Sequence, residues 1–174
     1  MNNVEWTPEW LTETIKLLRT HGSDTQFIEV KKAHGGYPGS LDATLSSFSN
    51  SSTGGIIICG LDENNDFAPV GVYDPADLEK TLGNKLRRGL KPPNTMESGT
   101  ILYEDAKIFV ATIPPLPPYE RPAYIGGKAY VRSGDGDHEM SRHETDLMVA
   151  QRTRTGFDEE PVEYTSLADL DEDL

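Results

Sequence analysis

Apolar residues recur at helical spacing in four stretches of this chain, and at strand spacing or in short unbroken runs in about six more. The polar residues between them supply the caps and turns. Thr7-Pro8-Glu9-Trp10 places a hydroxyl cap, a proline and an acid where a helix begins, and Trp10, Ile15, Leu17 and Leu18 give that helix an apolar face up to His21-Gly22. Phe27-Ile28-Glu29-Val30-Lys31 is rich in strand formers and closes at the glycine-proline stretch 35–39. Ser40 stands as the cap of a second helix, with Leu41, Thr44, Leu45 and Phe48 on one face and Asn50 at its end.

Gly54-Gly55 then opens the run Ile56-Ile57-Ile58-Cys59-Gly60-Leu61-Asp62. An unbroken apolar run after a glycine turn predicts a central strand covered on both faces, which delivers the Asp62 carboxylate to the rim of a sheet. Pro69-Val70-Gly71-Val72-Tyr73 reads as its returning hairpin partner. Asp74-Pro75 starts a third helix through Leu78, Leu82 and Leu86 to Arg88-Gly89, and Thr100–Tyr103 with Lys107–Ile113 forms a hairpin about Glu104-Asp105-Ala106. Five residues of proline and leucine, 114–118, predict a stiff connector; Lys128–Arg132 predicts a last strand before the turn Ser133-Gly134-Asp135-Gly136. Ser141 and Glu144 form a capping box for a final helix to about Thr155. This order predicts an α+β fold, a mixed sheet of about six strands with flanking helices, rather than a βαβ repeat.

The 174 residues suffice for one core, so residues 1–156 are expected as one domain and 157–174 as an acidic tail or a linker to a further region. No apolar segment approaches the roughly 20 residues that span a bilayer, and the first residues lack a signal-peptide pattern, which predicts a cytoplasmic protein. The net charge of −13 is uneven. Residues 157–174 hold eight acids and no Lys or Arg, leaving 21 acids against 16 bases in residues 1–156. Cys59, the one cysteine, lies within an apolar run and reads as a core residue rather than a nucleophile.

Several of these segments together resemble the Schlafen AlbA-like, or divergent AlbA, domain. The resemblance is carried by Phe27–Lys31 as its apolar-Glu-x-Lys strand and by Phe48-Ser49-Asn50 with Gly54–Asp62 as its Asn, Gly-Gly, strand and Gly-Val-Asp signature. Pro69–Val72 resembles its returning strand and Ala129–Gly134 its tyrosine-x-Arg-x-Gly strand end. It implies a DNA-binding module of bacterial transcriptional regulators, commonly at the N-terminus of longer proteins. It also implies an alternative, because the related Schlafen proteins cleave structured RNA with acidic residues and a divalent metal.

Nucleic-acid binding needs cations gathered on one face. The candidates are Lys31, Lys32, Arg87, Arg88 and Arg132, with Lys85, Lys91, Arg142, Arg152 and Arg154 as further bases and Asn50 as a neutral donor among Ser51, Ser52 and Thr53. Their plain alternative is a set of solvated charges sharing no face, and Arg87 and Arg88 suit a helix C-terminus in any case. For the nuclease alternative, Asp24, Glu29 and Asp62 are the candidate ligands of Mg or Mn, with Asp66 as a substitute for Asp62. Glu29 has a structural alternative as the partner of Lys31 or a neighbouring arginine. No phosphate loop of the Gly-x-x-x-x-Gly-Lys type is present, and Phe67 and Tyr73 stand where a calcium loop begun at Asp62 needs glycine and glutamate. His138 and His143 lie among acids near the capping box, where a polar loop explains them as well as zinc does. A homodimer through exposed strand edges is a third expectation.

Overall fold

The computed structural model describes residues 5–157. The predicted acidic tail therefore lies, from residue 158 onward, outside the described residues. Helix α1 (Pro8–His21) begins where Thr7 Oγ1 accepts the Trp10 N–H at 3.1 Å, ends at Gly22 with φ 74°, and buries Leu11, Ile15 and Leu18. Strand β1 (Ile28–Lys31) leads to α2 (Leu41–Asn50). Ser40 does not cap α2 with its side chain as expected. Its backbone is already helical, and the first N–H groups of α2 bond backward to the Pro38 and Gly39 carbonyls at 3.0 and 3.2 Å.

After β2 (Gly55–Cys59), a two-residue ladder joins β3 (Leu61–Asp62) to β4 (Ala68–Pro69). The expected hairpin strand through Tyr73 stops at Pro69. Val70 and Gly71 both donate to the Gly60 carbonyl, and Gly71 takes φ 79°, so the chain turns there instead of extending a ladder. Helix α3 (Pro75–Asn84) starts with Asp74 Oδ1 accepting the Asp77 N–H and widens into a π turn over Lys85–Gly89. There follow β5 (Leu90–Lys91), β6 (Glu97–Tyr103), β7 (Ala106–Ile113), β8 (Tyr124–Ile125), β9 (Lys128–Ser133), β10 (Gly136–Glu139) and α4 (Arg142–Phe157). The capping box of α4 is closed in both directions between Ser141 and Glu144.

The fold is α+β, but the described strands number ten in three ladders rather than about six in one sheet. The central sheet has the order β1-β2-β7-β6, with β1 and β2 parallel and the other pairs antiparallel. The second has the antiparallel order β10-β9-β8-β5. Strand β9 is thus not the last; β10, Gly-Asp-His-Glu, pairs back onto it while carrying no apolar alternation that would reveal a strand.

Along β2 and β7 successive side chains enter two different cores, as the unbroken apolar run predicts. Ile57, Cys59, Phe109, Ala111 and Ile113 join Leu45, Phe48, Leu78 and Leu82 under α2 and α3. Ile58, Ile108 and Val110 join Leu11, Ile15 and Leu18 under α1. Cys59 is fully buried, and that burial pushes its thiol pKa up to about 12, which suits packing and not nucleophilic chemistry.

Candidate functional site

Strand β1 ends the central sheet, so its outward N–H and C=O groups need partners. Ile28 N–H donates to Thr25 Oγ1 at 3.1 Å, and Val30 N–H to Asp24 Oδ1 at 3.1 Å. The Ile28 carbonyl accepts from Thr25 N–H at 3.1 Å and from Arg132 Nη2 at 3.3 Å. Two of the sequence candidates, Asp24 and Arg132, therefore seal a strand edge.

Arg132 was expected at the surface, facing phosphate. Its side chain is instead only 2% exposed, with Nη1 2.7 Å from Glu29 Oε2 and 3.1 Å from Asp137 Oδ1. Its Nε donates to the Thr25 carbonyl at 3.0 Å, and its guanidinium lies 5.3 Å from the Phe48 ring centroid. Burial disfavours its charge, but Glu29 and Asp137 outweigh burial and hold its pKa above the ordinary value. No donor is left facing outward for a ligand. Arg132 is a tie from β9 to β1, and the expectation of a phosphate contact there is corrected.

Asn50 is corrected for the same reason. It is 4% exposed, its Oδ1 accepts the Ala123 N–H at 2.6 Å, and its Nδ2 donates to the Tyr130 and Ala123 carbonyls at 3.0 and 3.3 Å. Ser46 Oγ repeats this pattern one turn earlier, accepting the Tyr130 N–H at 2.9 Å and donating to the Ala123 carbonyl at 2.8 Å. The polar side of α2 thus fastens the second sheet. The glycines after it are required by close approach: a Cβ on Gly54 would stand 2.2 Å from the Ile113 carbonyl oxygen, and one on Gly55 would stand 2.4 Å from the Phe48 ring.

Beside Arg132 opens a cleft of about 440 Å³ lined by Asp24, Glu29, Lys31, Glu63 and Asp137 among others. Lys31 Nζ is 2.5 Å from Glu29 Oε1, so both oxygens of Glu29 already face cations. Burial, then the Glu29 and Glu63 charges, raise the Asp24 pKa to about 8, against a weaker pull from the Val30 N–H and Lys31. Asp62 does not line this cleft. It pairs with Lys32 at 2.9 Å, while its Oδ1 accepts the Asn64 N–H at 3.2 Å. Asp66 pairs with Arg19 of α1 at 3.3 Å.

The expected metal set Asp24, Glu29 and Asp62 is therefore not assembled. Among the described residues no group of three or more His, Cys, Asp or Glu is placed to hold a metal ion. A hard cation needs carboxylate oxygens turned toward one point, whereas Glu29 is neutralised by Lys31 and Arg132, and Asp62 turns to Lys32. Mg or Mn does not fit this arrangement.

The remaining cations form a different feature. Residues 80–96 contain Lys80, Lys85, Arg87, Arg88 and Lys91 and no acid. Leu78, Leu82 and Leu86 recur every four residues and are buried, which turns Lys80, Arg87 and Arg88 away from the core. Lys80, Arg87, Arg88 and Lys91 are exposed and form no ion pair with a described residue. Lys85 is half-buried against Asp42 at 2.9 Å, with its ammonium 5.5 Å from the Tyr37 ring centroid. Helix-end electrostatics explains one or two bases at this position, but not five over three elements.

The model of the family described as "Schlafen, AlbA_2" matches residues 24–141. The chain belongs to the Schlafen AlbA_2 family. The matched span begins at Asp24 and ends at Ser141, so it takes in both sheets, α2, α3 and the basic segment. No curated protein matches the chain. Among solved structures, a similar one is the N-terminal domain of a protein of Nitrosomonas europaea named as related to the ATP-dependent DNA helicase RecG. It is 21% identical with a TM-score of 0.57, over 79% of this chain and 97% of that one. The DIP2311 protein of Corynebacterium diphtheriae is 14% identical with a TM-score of 0.51, over 80% of this chain but 28% of that one. These identities establish a shared fold. Within the described residues of this Schlafen AlbA_2 chain, no helix is long and apolar enough to cross a membrane.

Sequence reasoning named Asp24, Glu29 and Lys31 of this cleft, placed Asp137 only among the acids around His138, and missed Glu63. It also misplaced Arg132. The buried positions of β9 are Ala129 and Arg132, three apart, so strict alternation gives no signal for an inward arginine.

Proposed function

We propose that this Schlafen AlbA_2 chain binds nucleic acid, DNA in the first place, as a module of a bacterial transcriptional regulator, through Arg87 and Arg88 with Lys80 and Lys91. The observation that carries this reading is the exposed, acid-free basic segment in a body that is otherwise mildly acidic. Family membership supports it, as does the RecG-related name of a structural neighbour. Exposed guanidinium groups that no described acid pairs are free to displace counterions from phosphates, which a buried paired arginine is not. Such contacts position a backbone and read no sequence, so the binding is sequence-tolerant.

The test is titration of a labelled DNA duplex and a structured RNA with the whole chain over a range of salt. The reading requires affinity that falls steeply with salt; binding that ignores salt, or none at low salt, removes it. Replacing Arg87 and Arg88 together by Ala lowers affinity about tenfold and reduces the salt slope by about 2. The endoribonuclease alternative finds no support in the arrangement of Asp24, Glu29 and Asp62, and its test is incubation of structured RNA with manganese, where cleavage would restore it. A homodimer, if formed by strand pairing, is proposed through β6, since Thr25, Asp24 and Arg132 occupy outward groups of β1.

A further inference from the structure

Strand β1 offers little backbone at its outer edge, since Thr25, Asp24 and Arg132 take outward groups of Ile28 and Val30. What that edge shows to solvent is side chains. Between the end of α1, the loop before β1 and the turn joining β9 to β10 runs a groove of about 560 Å³, lined by Leu17, Phe27 and Ile28 among others. Ser23, Asp24 and Asp135 line both this groove and the acidic cleft beside Arg132, so the two are continuous.

The groove keeps apolar surface in water. Leu17 is 46% exposed and Phe27 52%. Leu17, which the sequence pattern places on the apolar face of α1, stands off the buried stripe of Leu11, Ile15 and Leu18, and Phe27 precedes the first register pair of β1. Single exposed apolar side chains are ordinary, whereas two that line one groove mark a surface that a partner can cover.

The cleft adds charge. Glu29 is held by Lys31 and Arg132, and Asp137 by Arg132. Glu63 and Asp135 are exposed and, like Asp24, form no ion pair with a described residue. Asp24 keeps its proton because burial and the Glu29 and Glu63 charges oppose its ionisation, and an arriving cation reduces that opposition. Such a rim attracts a positive group and repels phosphate.

We propose that this groove docks a peptide segment of a partner protein in which a large apolar residue stands beside lysine or arginine. The apolar side chain sits against Leu17 and Phe27, and the cation enters the cleft past Asp24 and Asp135. Burial of the anchor supplies affinity and the cation supplies orientation. Because backbone groups of the β1 edge are already taken, recognition runs through side chains rather than through an added strand. The inference does not rest on nucleic-acid binding, and none of its residues belongs to the segment assigned to phosphate.

The test is selection of a random peptide library displayed on phage against the whole chain at low salt, with Phe27→Ser in solution to remove peptides that bind elsewhere. Enrichment of Leu, Ile, Met, Phe or Trp within about two positions of Lys or Arg is expected. The most enriched peptide, synthesised with a fluorescent label, is then titrated by anisotropy. Its affinity falls at least about tenfold in Phe27→Ser and in Leu17→Ser. It falls about threefold to tenfold in Glu63→Gln/Asp135→Asn, and this second loss shrinks as salt rises. All four residues are exposed, so these variants fold, and circular dichroism checks them. No enrichment, enrichment of acidic peptides, or an affinity that the variants leave unchanged overturns the proposal. A native dimer that Phe27→Ser converts to monomer in light scattering means that a second copy fills the groove, and overturns it too. A chain that binds the peptide in this pattern but no DNA upholds the docking and removes the nucleic-acid reading instead.

Discussion

Arg132 and the pair Arg87-Arg88 are the same residue type in two opposite settings. Arg132 lies beneath the surface, where Glu29, Asp137 and two carbonyls take its donors. Arg87 and Arg88 stand in water on the outer side of a helix end, without a described acid as partner. The first arginine sets the fold and the second two remain available to a ligand. A cation is a candidate phosphate contact only when its neighbours leave it unsatisfied, and neighbours three elements away decide that.

The largest test of this contrast is Arg132→Met. Removing the guanidinium leaves the buried Glu29 and the partly buried Asp137 without their shared cation and takes the Nε donor from the Thr25 carbonyl, at a cost of about 3–5 kcal/mol. Urea denaturation measures it. If stability is unchanged while DNA affinity falls, the assignment of the two regions is reversed. Asn50→Ala comes next at about 2–3 kcal/mol, because the Ala123 N–H and the Tyr130 carbonyl lose a buried partner. The same denaturation reads it, and DNA affinity per folded molecule stays level.

Asp24→Asn sharpens the description of the cleft through pH. The folded-state pKa of Asp24, about 8, lies above its ordinary value of 3.8, so the folded chain holds the proton more tightly than the unfolded one. The stability this contributes is full below about pH 4, falls as pH rises and is gone above about pH 8. Asparagine keeps an acceptor for the Val30 N–H without the charge. The Asn variant therefore gains on the native chain as pH rises from 5 to 9, by about 1–2 kcal/mol, seen as a growing difference in Tm. A constant difference means that Asp24 is ionised throughout.

The pattern of apolar positions made the elements legible because each helix and the long strands announce themselves locally. Leu78, Leu82 and Leu86 mark the buried face of α3 and of the turn after it without further help, and Ile56 to Cys59 give a strand covered on both sides. What stayed hidden was polar and non-local. Strand β10 has no apolar alternation, and its Asp137 meets Thr44 and Ser47 across about 90 residues of chain. Arg132 and Glu29 are likewise 103 positions apart in sequence, so their pairing is a product of topology. Asp62 illustrates the converse. Its place at a strand end was readable, but the strand ends in a tight turn where the carboxylate is drawn to the Asn64 N–H and Lys32, away from the cleft.

Lys32 provides the smallest effect and divides the two regions most finely. Its side chain is 58% exposed and its partner Asp62 is 15% exposed, so the pair is partly screened. Lys32→Ala therefore costs about 0.5 kcal/mol or less, since an exposed lysine gives back side-chain entropy when released. If phosphate is held by the basic segment, DNA affinity changes less than about twofold. A loss equal to that of the Arg87-Arg88 double variant would mean that phosphate competes with Asp62 for Lys32, extending the interface to the rim of the acidic cleft. Because both variants keep the Arg132 network intact, the comparison of their affinities reports on the surface alone.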